Sequence, residues 1–473
     1  MGLHLPGESS IAAATLATLA TGAIAQTAPA PLAKPTAEDF FRDPQMRQVR
    51  LSPDGRFLAF VVNKGASAMP VVADIDNGMK STPVAGFQDA DVGSYARVGN
   101  ERLVYTSRQS QGDRWRNIHS AGLWAVKRDG TEQRQLIHAM YGADGQTSSL
   151  VASRQLLGLH FENDAPTSHW FEPRLKQWQA EIDKRLPGRA NHIDCRRCLR
   201  TGRLLVSSSS DQQPTQYFLF DTAKGALAML GSSRPWIQGA QMGQRDLHRI
   251  PARDGLDLPV MVTMPAGKAA GPRPAVVLVH GGPSMRGTHW TWDEEAQFLA
   301  SRGYVVIEPE FRGSTGYGEK LFKDGWKQWG LAMQDDVSDA LQWAVKQGWV
   351  DAKRVCIEGA SYGGYAALMG LIRDPDQYRC AVSWVGVTDL NYLASDEWSD
   401  LSDVWRTYGM KTMVGDPVKD AEQLRQTSPL RRAKEIRQPV LLAYGGTDRR
   451  VTLQHGQDLR SALEAAGHRQ VST

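Results

Sequence analysis

Two hydrophobic periodicities divide the chain. From about Phe40 to Arg249, apolar residues come in short runs separated by polar turns. One unit reads Arg56-Phe57-Leu58-Ala59-Phe60-Val61-Val62, then a gap, then Val71-Val72-Ala73-Asp74-Ile75 with a turn at Asn77-Gly78. A second runs from Arg102-Leu103-Val104-Tyr105-Thr106 to Gly122-Leu123-Trp124-Ala125-Val126 and a turn at Asp129-Gly130. A third runs from Arg203-Leu204-Leu205-Val206 to Tyr217-Phe218-Leu219-Phe220-Asp221. Each is a strand, a loop, a second strand and a polar turn. The first two units open at Arg56 and Arg102, a spacing within the ~40–50 residues of a propeller blade. Ser52-Pro53-Asp54-Gly55 opens the first unit as a turn. A weaker blade is expected near Leu150 to Phe161, giving four or five in all. Between it and the third clear unit, Leu175, Trp178, Ile182 and Leu186 fall on one helical face, which predicts an inserted helix over 171–186. A β-sandwich is the alternative for the same pattern.

From residue 250 onward the period changes. Near-continuous apolar strands are expected at Ala275–His280, Tyr304–Pro309, Val355–Gly359, Cys380–Val385 and Val440–Tyr444. Helical patterns separate them; Val337, Leu341, Ala344 and Val345 mark one. That alternation predicts a mostly parallel sheet with helices on both faces. The resulting division is 40–249 for an all-β, propeller-like domain of reduced blade number and 250–473 for an α/β-hydrolase-type domain.

Composition narrows the classes. The 473 residues are 41% hydrophobic with a formal net charge of +4. Lys and Arg are scattered, so nucleic acid and anionic membranes are not expected partners. Residues 1–25 read as an export signal: Ile11 to Ala25 is apolar and small, and Ala23-Ile24-Ala25 offers a cleavage site. Residues 26–39 read as a Pro/Ala linker, and the expected location is periplasmic or secreted. Of the four cysteines, Cys195 and Cys198 form a C-x-x-C without the further ligands zinc needs, so a local disulfide is expected. Cys356 and Cys380 lie in apolar runs and are expected as buried thiols. No metal, nucleotide or flavin signature is present, and no cofactor is expected.

The candidate chemistry lies at the ends of the predicted parallel strands, where sites form in such sheets. Gly359-Ala360-Ser361-Tyr362-Gly363 sits between an apolar strand and a small-residue helix. This strand–turn–helix is a nucleophile elbow, with Ser361 in a strained conformation and Gly359 and Gly363 where two backbones pass closely. His280-Gly281-Gly282-Pro283 follows the first strand. Gly281 and Gly282, with the Tyr362 N–H, can stabilise the oxyanion of acyl transfer. Gly445-Gly446-Thr447-Asp448 follows the last strand, and Asp448 can orient a catalytic imidazole.

With those pieces in view, residues 250–473 resemble the catalytic domain of the prolyl oligopeptidase family of serine peptidases, in particular its bacterial dipeptidyl/acylaminoacyl-peptidase branch. HGGP at 280–283, FRGSTGYG at 311–318, GASYGGY at 359–365 and GGTDRRV at 445–451 carry the resemblance, and LSPDGR at 51–56 agrees with it. It implies Ser361 as nucleophile, Asp448 as triad acid, and short peptides admitted past a capping propeller. It also places Arg312 in a loop beside the site.

The family's catalytic histidine follows one more helix and strand. Leu459, Leu463 and Ala466 share a helical face, Gly467 can end that helix, and His468–Thr473 begins the strand. His280, His455 and His468 are poor candidates for the base, so the triad histidine is expected to be absent from these residues. Loss of a triad member costs ~10⁴–10⁶ in turnover, and a missing final strand and helix would bare an apolar sheet edge. The chain as given is therefore expected to be poorly active and destabilised. A carboxylesterase on the same site and a non-catalytic protein are the other two readings.

Overall fold

The computed structural model describes residues 33–64, 67–85, 90–109, 123–137, 157–195, 197–267, 271–395, 400–402, 404–468 and 471–472. The proposed signal, 1–25, lies outside them.

The strand–loop–strand units of the first half fold as antiparallel meanders. Met46–Leu51, Phe57–Lys64, Ser67–Asp74 and Lys80–Pro83 form one four-stranded sheet, and strands within 90–137 and within 190–232 form two more. The expected weaker blade is a hairpin, Gly158–Glu162 paired with Pro166–Trp170. The inserted helix is present over Pro173–Arg185, with Leu175 and Ile182 fully buried beneath it. The first sheet packs against the second through Phe57, Val61, Leu103 and Tyr105. It packs against the sheet of 190–232 through Leu58, Phe60, Leu205 and Leu219. Chain-distant sheets thus stack side by side, as blades do.

The second half is an eight-stranded mixed sheet. Its spatial order is Gln244–Pro251, Asp257–Met264, Val305–Pro309, Arg273–Val279, Val350–Ala360, Cys380–Trp384, Val440–Ala443 and Val471–Ser472. The first three strands pair antiparallel and the remaining pairs are parallel. All five expected strands are present. The helix Glu294–Ser301 covers one face of the sheet at Asp257–Met264 and Val305–Pro309, while Ala332–Lys346 and Tyr362–Arg373 cover the other. Farther along, Trp384 and Leu441 stay 42% and 36% exposed.

Three sequence expectations need correction. The boundary at 249/250 cuts through a strand, because Gln244 to Pro251 pairs residue for residue with Met264 to Asp257. Residues 37–41, partly inside the expected linker, form a helix whose Phe40 is fully buried against Trp292 and Phe298. Thr36 caps that helix through a capping box with Asp39. Cys356 and Cys380 are not free thiols: they sit opposite each other on neighbouring parallel strands and form a disulfide. Apolar flanks made them read as core residues, and only strand pairing reveals that two cysteines 24 residues apart meet. The Cys195–Cys198 disulfide is present as expected. From Pro35 onward the chain forms one compact unit, so the two halves are not separated by a sparse linker.

Candidate active site

The strand Val350–Ala360 runs into the helix Tyr362–Arg373 with a single residue between them. That residue, Ser361, has φ 58° and ψ −116°, a conformation strained for any side chain. Its N–H donates to the Trp384 carbonyl at 2.9 Å, which ties the turn to the neighbouring strand. The two glycines explain how a turn this sharp fits. A Cβ on Gly363 would stand 1.9 Å from the Val279 carbonyl oxygen, and one on Gly359 would stand 2.4 Å from the same atom. Strand, helix and neighbouring strand therefore touch backbone to backbone.

The glycine loop meets the elbow. A Cβ on Gly281 would lie 3.0 Å from the Ala360 oxygen and 3.5 Å from Ser361 Cβ, and Gly282 has φ +114°. Tyr362 is the first residue of its helix, so its N–H has no intrahelical acceptor. The Tyr362 ring is wholly buried against Phe311 and Trp329, which fixes the backbone that carries that N–H. Burial pushes its phenol well above the ordinary tyrosine range.

His280 supports this loop from behind. Its Nδ1–H donates to the Gly281 carbonyl at 2.7 Å, and its Nε2 is 3.1 Å from Ser314 Oγ and 3.4 Å from Glu310. The ring stacks on Phe311 at 4.4 Å. Glu310 is fully buried and accepts from the N–H groups of Gly287 and Thr288 and from Thr288 Oγ1. Burial alone would raise its carboxyl, but hydrogen bonds from His280 and Thr288 hold it below the usual range. Sequence reasoning missed Glu310, because nothing after the strand Val305–Pro309 marks it as the acceptor for a loop some twenty residues earlier.

Asp448 lies in the turn after Val440–Ala443. Its Oδ1 accepts from the N–H groups of Arg450 at 2.8 Å and Val451 at 3.1 Å. Ser361, Gly282, Arg450 and Val451 line one cavity of about 380 Å³. The structure thus brings the elbow, the glycine loop and the turn carrying Asp448 to a common space. The rest of the wall is largely apolar, including Trp326, Trp329 and Trp405. These three come from segments between the recognised motifs, and an isolated tryptophan carries no spacing signal. Arg312 has a clear anchoring place: it is buried and paired with Asp336 at 2.8 Å and Asp254 at 2.9 Å.

The histidines after the elbow are held elsewhere. His455 is buried, and its Nδ1 accepts from the Thr388 N–H at 3.0 Å. His468 Nε2 donates to the Gln438 carbonyl at 2.8 Å, at the amino end of Val440–Ala443. The first half of the chain reaches toward the site through its hairpin turn. Arg286 donates to the carbonyls of Glu162 and Asn163, and His289 Nδ1 is 2.6 Å from a Glu162 carboxylate oxygen.

The chain resembles known proteins in sequence and in fold. Residues 290–472 match the sequence profile of the prolyl oligopeptidase family. A dipeptidyl aminopeptidase BIII of Pseudoxanthomonas mexicana is 38% identical over 272 residues, covering 55% of this chain and 39% of that protein. A dipeptidyl peptidase family member 6 of Caenorhabditis elegans is 29% identical over 286 residues, covering 55% and 38%. The matched stretch thus spans about two fifths of each curated relative. Among solved structures, a Mycobacterium tuberculosis puromycin-hydrolyzing peptidase superposes with a TM-score of 0.57 at 22% identity, over 90% of this chain and 65% of that one. An acylaminoacyl peptidase does so with 0.57 at 19% identity, over 91% and 83%. At these identities the structural likeness shows the fold: an α/β-hydrolase preceded by propeller-like sheets.

Proposed function

From the match of residues 290–472 to the prolyl oligopeptidase family profile, we propose that this chain carries the serine-peptidase site of an enzyme that hydrolyses short peptides. The observation that carries the reading is Ser361 at positive φ between strand and helix, with Gly281 packed against it and the Asp448 turn bordering the same cavity. In this reading Ser361 Oγ attacks the scissile carbonyl carbon. The C=O π pair moves onto oxygen, and the oxyanion is held by the N–H groups of Tyr362 and the Gly281–Gly282 loop. Collapse of the tetrahedral adduct breaks the C–N bond and leaves an acyl group on Ser361, which water then removes. Asp448 orients the imidazole that accepts the Ser361 proton and passes it to the leaving amine. That imidazole is none of His280, His455 and His468 in the positions they hold. The Trp-lined wall suits an apolar substrate side chain beside the cleaved bond.

Export into an oxidising compartment belongs to the same proposal. The Cys195–Cys198 and Cys356–Cys380 disulfides support it.

The test compares the chain with Ser361→Ala on a dipeptidyl p-nitroanilide and a p-nitrophenyl ester, with and without added imidazole. The reading expects product release that depends on Ser361, that imidazole increases, and that extends to the anilide. Release indifferent to Ser361 overturns it, and release from the ester alone points to a carboxylesterase.

A further inference from the structure

A second cavity, of about 300 Å³, lies where the first sheet, the sheet of 190–232 and the segment before the helix Glu294–Ser301 meet. Two arginines line it. Arg234 is only 8% exposed, yet among the described residues it has no carboxylate within ion-pair distance. Its guanidinium donates to the Arg42 carbonyl and lies 5.0 Å from the Trp292 ring centroid. Buried arginines are otherwise almost always paired, because an uncompensated charge is costly to desolvate. Burial pulls the Arg234 pKa down, and Glu294 and Asp43 only partly oppose this. Arg47, on the first strand, also lines the cavity, and among the described residues its buried Nε has no hydrogen-bond partner.

The remaining wall is mixed. Ser209, Thr215, Ser233 and Thr291 bring hydroxyls to it. Met46, Tyr217 and Trp292 supply apolar surface, and the exposed carboxylate of Glu294 stands at the rim. Two guanidiniums and several hydroxyls on one cavity wall supply the kind of donors a carboxylate accepts. A nearby glutamate is repulsive to a dianion such as phosphate, but it complements a ligand that also carries an ammonium group.

We propose that this cavity is a binding site, distinct from the Ser361 cavity, for an amino acid or short peptide held by its free carboxylate between Arg47 and Arg234. Aromatic and methionine side chains cover the ligand's apolar part, and Glu294 faces its amino end. The site would let peptide or product bind at the junction of the two halves without occupying the nucleophile.

Isothermal titration calorimetry of the whole chain tests this with the dipeptide Ala-Phe, its C-terminal amide, and inorganic phosphate. Ala-Phe is expected to bind at least about tenfold more tightly than the amide and more tightly than phosphate. Arg234→Gln is the direct variant, but Arg234 is buried and its loss can impair folding. Arg47→Gln, on a partly exposed residue, is expected to weaken Ala-Phe at least about tenfold as well. Trp405→Ala, which alters only the Ser361 cavity, should leave that affinity within about twofold of the parent's. Equal binding of the amide, tighter binding of phosphate, no effect of Arg47→Gln, loss of binding in Trp405→Ala, or no heat at millimolar dipeptide would each overturn the proposal.

Discussion

The two halves of this chain bury their apolar residues differently. In the second half one cluster runs continuously from Ile250 to Leu463, threading the sheet and the helices on it. In the first half the interior is divided. Phe57, Leu103 and Tyr105 form one cluster, Leu58, Phe60 and Leu219 another, and Leu175, Ile182 and Phe220 a third beneath the inserted helix. A meander pairs strands that are neighbours in sequence, so each sheet forms locally and then packs on the next. A parallel sheet must join distant strands through crossovers, so its core forms as one body. The candidate catalytic groups lie in the continuous half. Ser361, Gly281 and Asp448 come from three different strand ends, and only a shared rigid sheet can hold three such ends in register.

The largest expected difference between the halves is chemical. With imidazole added, Ser361→Ala should remove the whole imidazole-dependent part of the turnover, while without imidazole the loss should be far smaller, because triad losses do not add. Ser94→Ala, whose hydroxyl is hydrogen-bonded to Thr106 on the neighbouring strand, should change turnover less than about twofold. Steady-state kinetics on the p-nitroanilide read both.

Next in size are glycines. Gly363→Ala would force a Cβ into the Val279 carbonyl oxygen and should cost on the order of 3–5 kcal/mol or prevent folding. Gly78→Ala, at φ +61° with nothing within 4 Å, should cost only about 1–2 kcal/mol. Denaturant titration of the two variants separates a packing clash from a local backbone cost.

The disulfides give a smaller contrast. Cys356–Cys380 closes a loop spanning 24 residues and Cys195–Cys198 one spanning 3. Chain-entropy arguments assign about 3 kcal/mol to the first and about 2 kcal/mol to the second. Replacing each pair with serines and following unfolding by calorimetry should lower the stability of the continuous half more.

The smallest effect is a pH dependence of opposite sign in the two halves. Burial, followed by the Glu358 and Asp293 carboxylates, raises Glu295 to about 7. The folded state therefore holds a proton that the unfolded state releases near 4.5. This contribution to stability is complete below about 4.5 and is lost as pH rises through about 7. Glu295→Gln should flatten the decline. In the first half, partial desolvation of the exposed His160 ring, followed by the neighbouring His192, lowers it to about 4, and solvent around the ring makes its stability contribution the smaller of the two. Its contribution is present above about 6.5 and is lost as pH falls toward 4. His160→Phe should remove that loss. Hydrogen exchange resolved by region at pH 5 and pH 8 would show whether each half responds in its own direction.

Much of the site was legible in the sequence because its chemistry is local in the chain. A strand, one residue at positive φ and a small-residue helix need Gly359, Ser361 and Gly363 in consecutive places, so the pattern survives in one dimension. The Gly281–Gly282 loop and Asp448 were legible for the same reason, as residues following apolar strands. The strand at Gln244–Arg249 was missed because its alternating polar residues, among them Arg245, His248 and Arg249, look like the exposed edge of the preceding domain. Its Arg245 is in fact buried and paired with Glu308 from a strand some sixty residues away.

What the sequence determined by itself was therefore the order of elements, the elbow and the residues that can carry acyl transfer, because strand period, turn chemistry and glycine placement act over a few bonds. Only the tertiary structure decided which chain-distant groups meet. It joined Cys356 to Cys380, set Glu310 beneath the Gly281–Gly282 loop, walled the Ser361 cavity with tryptophans, and left Arg47 and Arg234 facing a cavity with no carboxylate in ion-pair distance of either among the described residues. These depend on strand order and packing, which spacing along the chain does not encode.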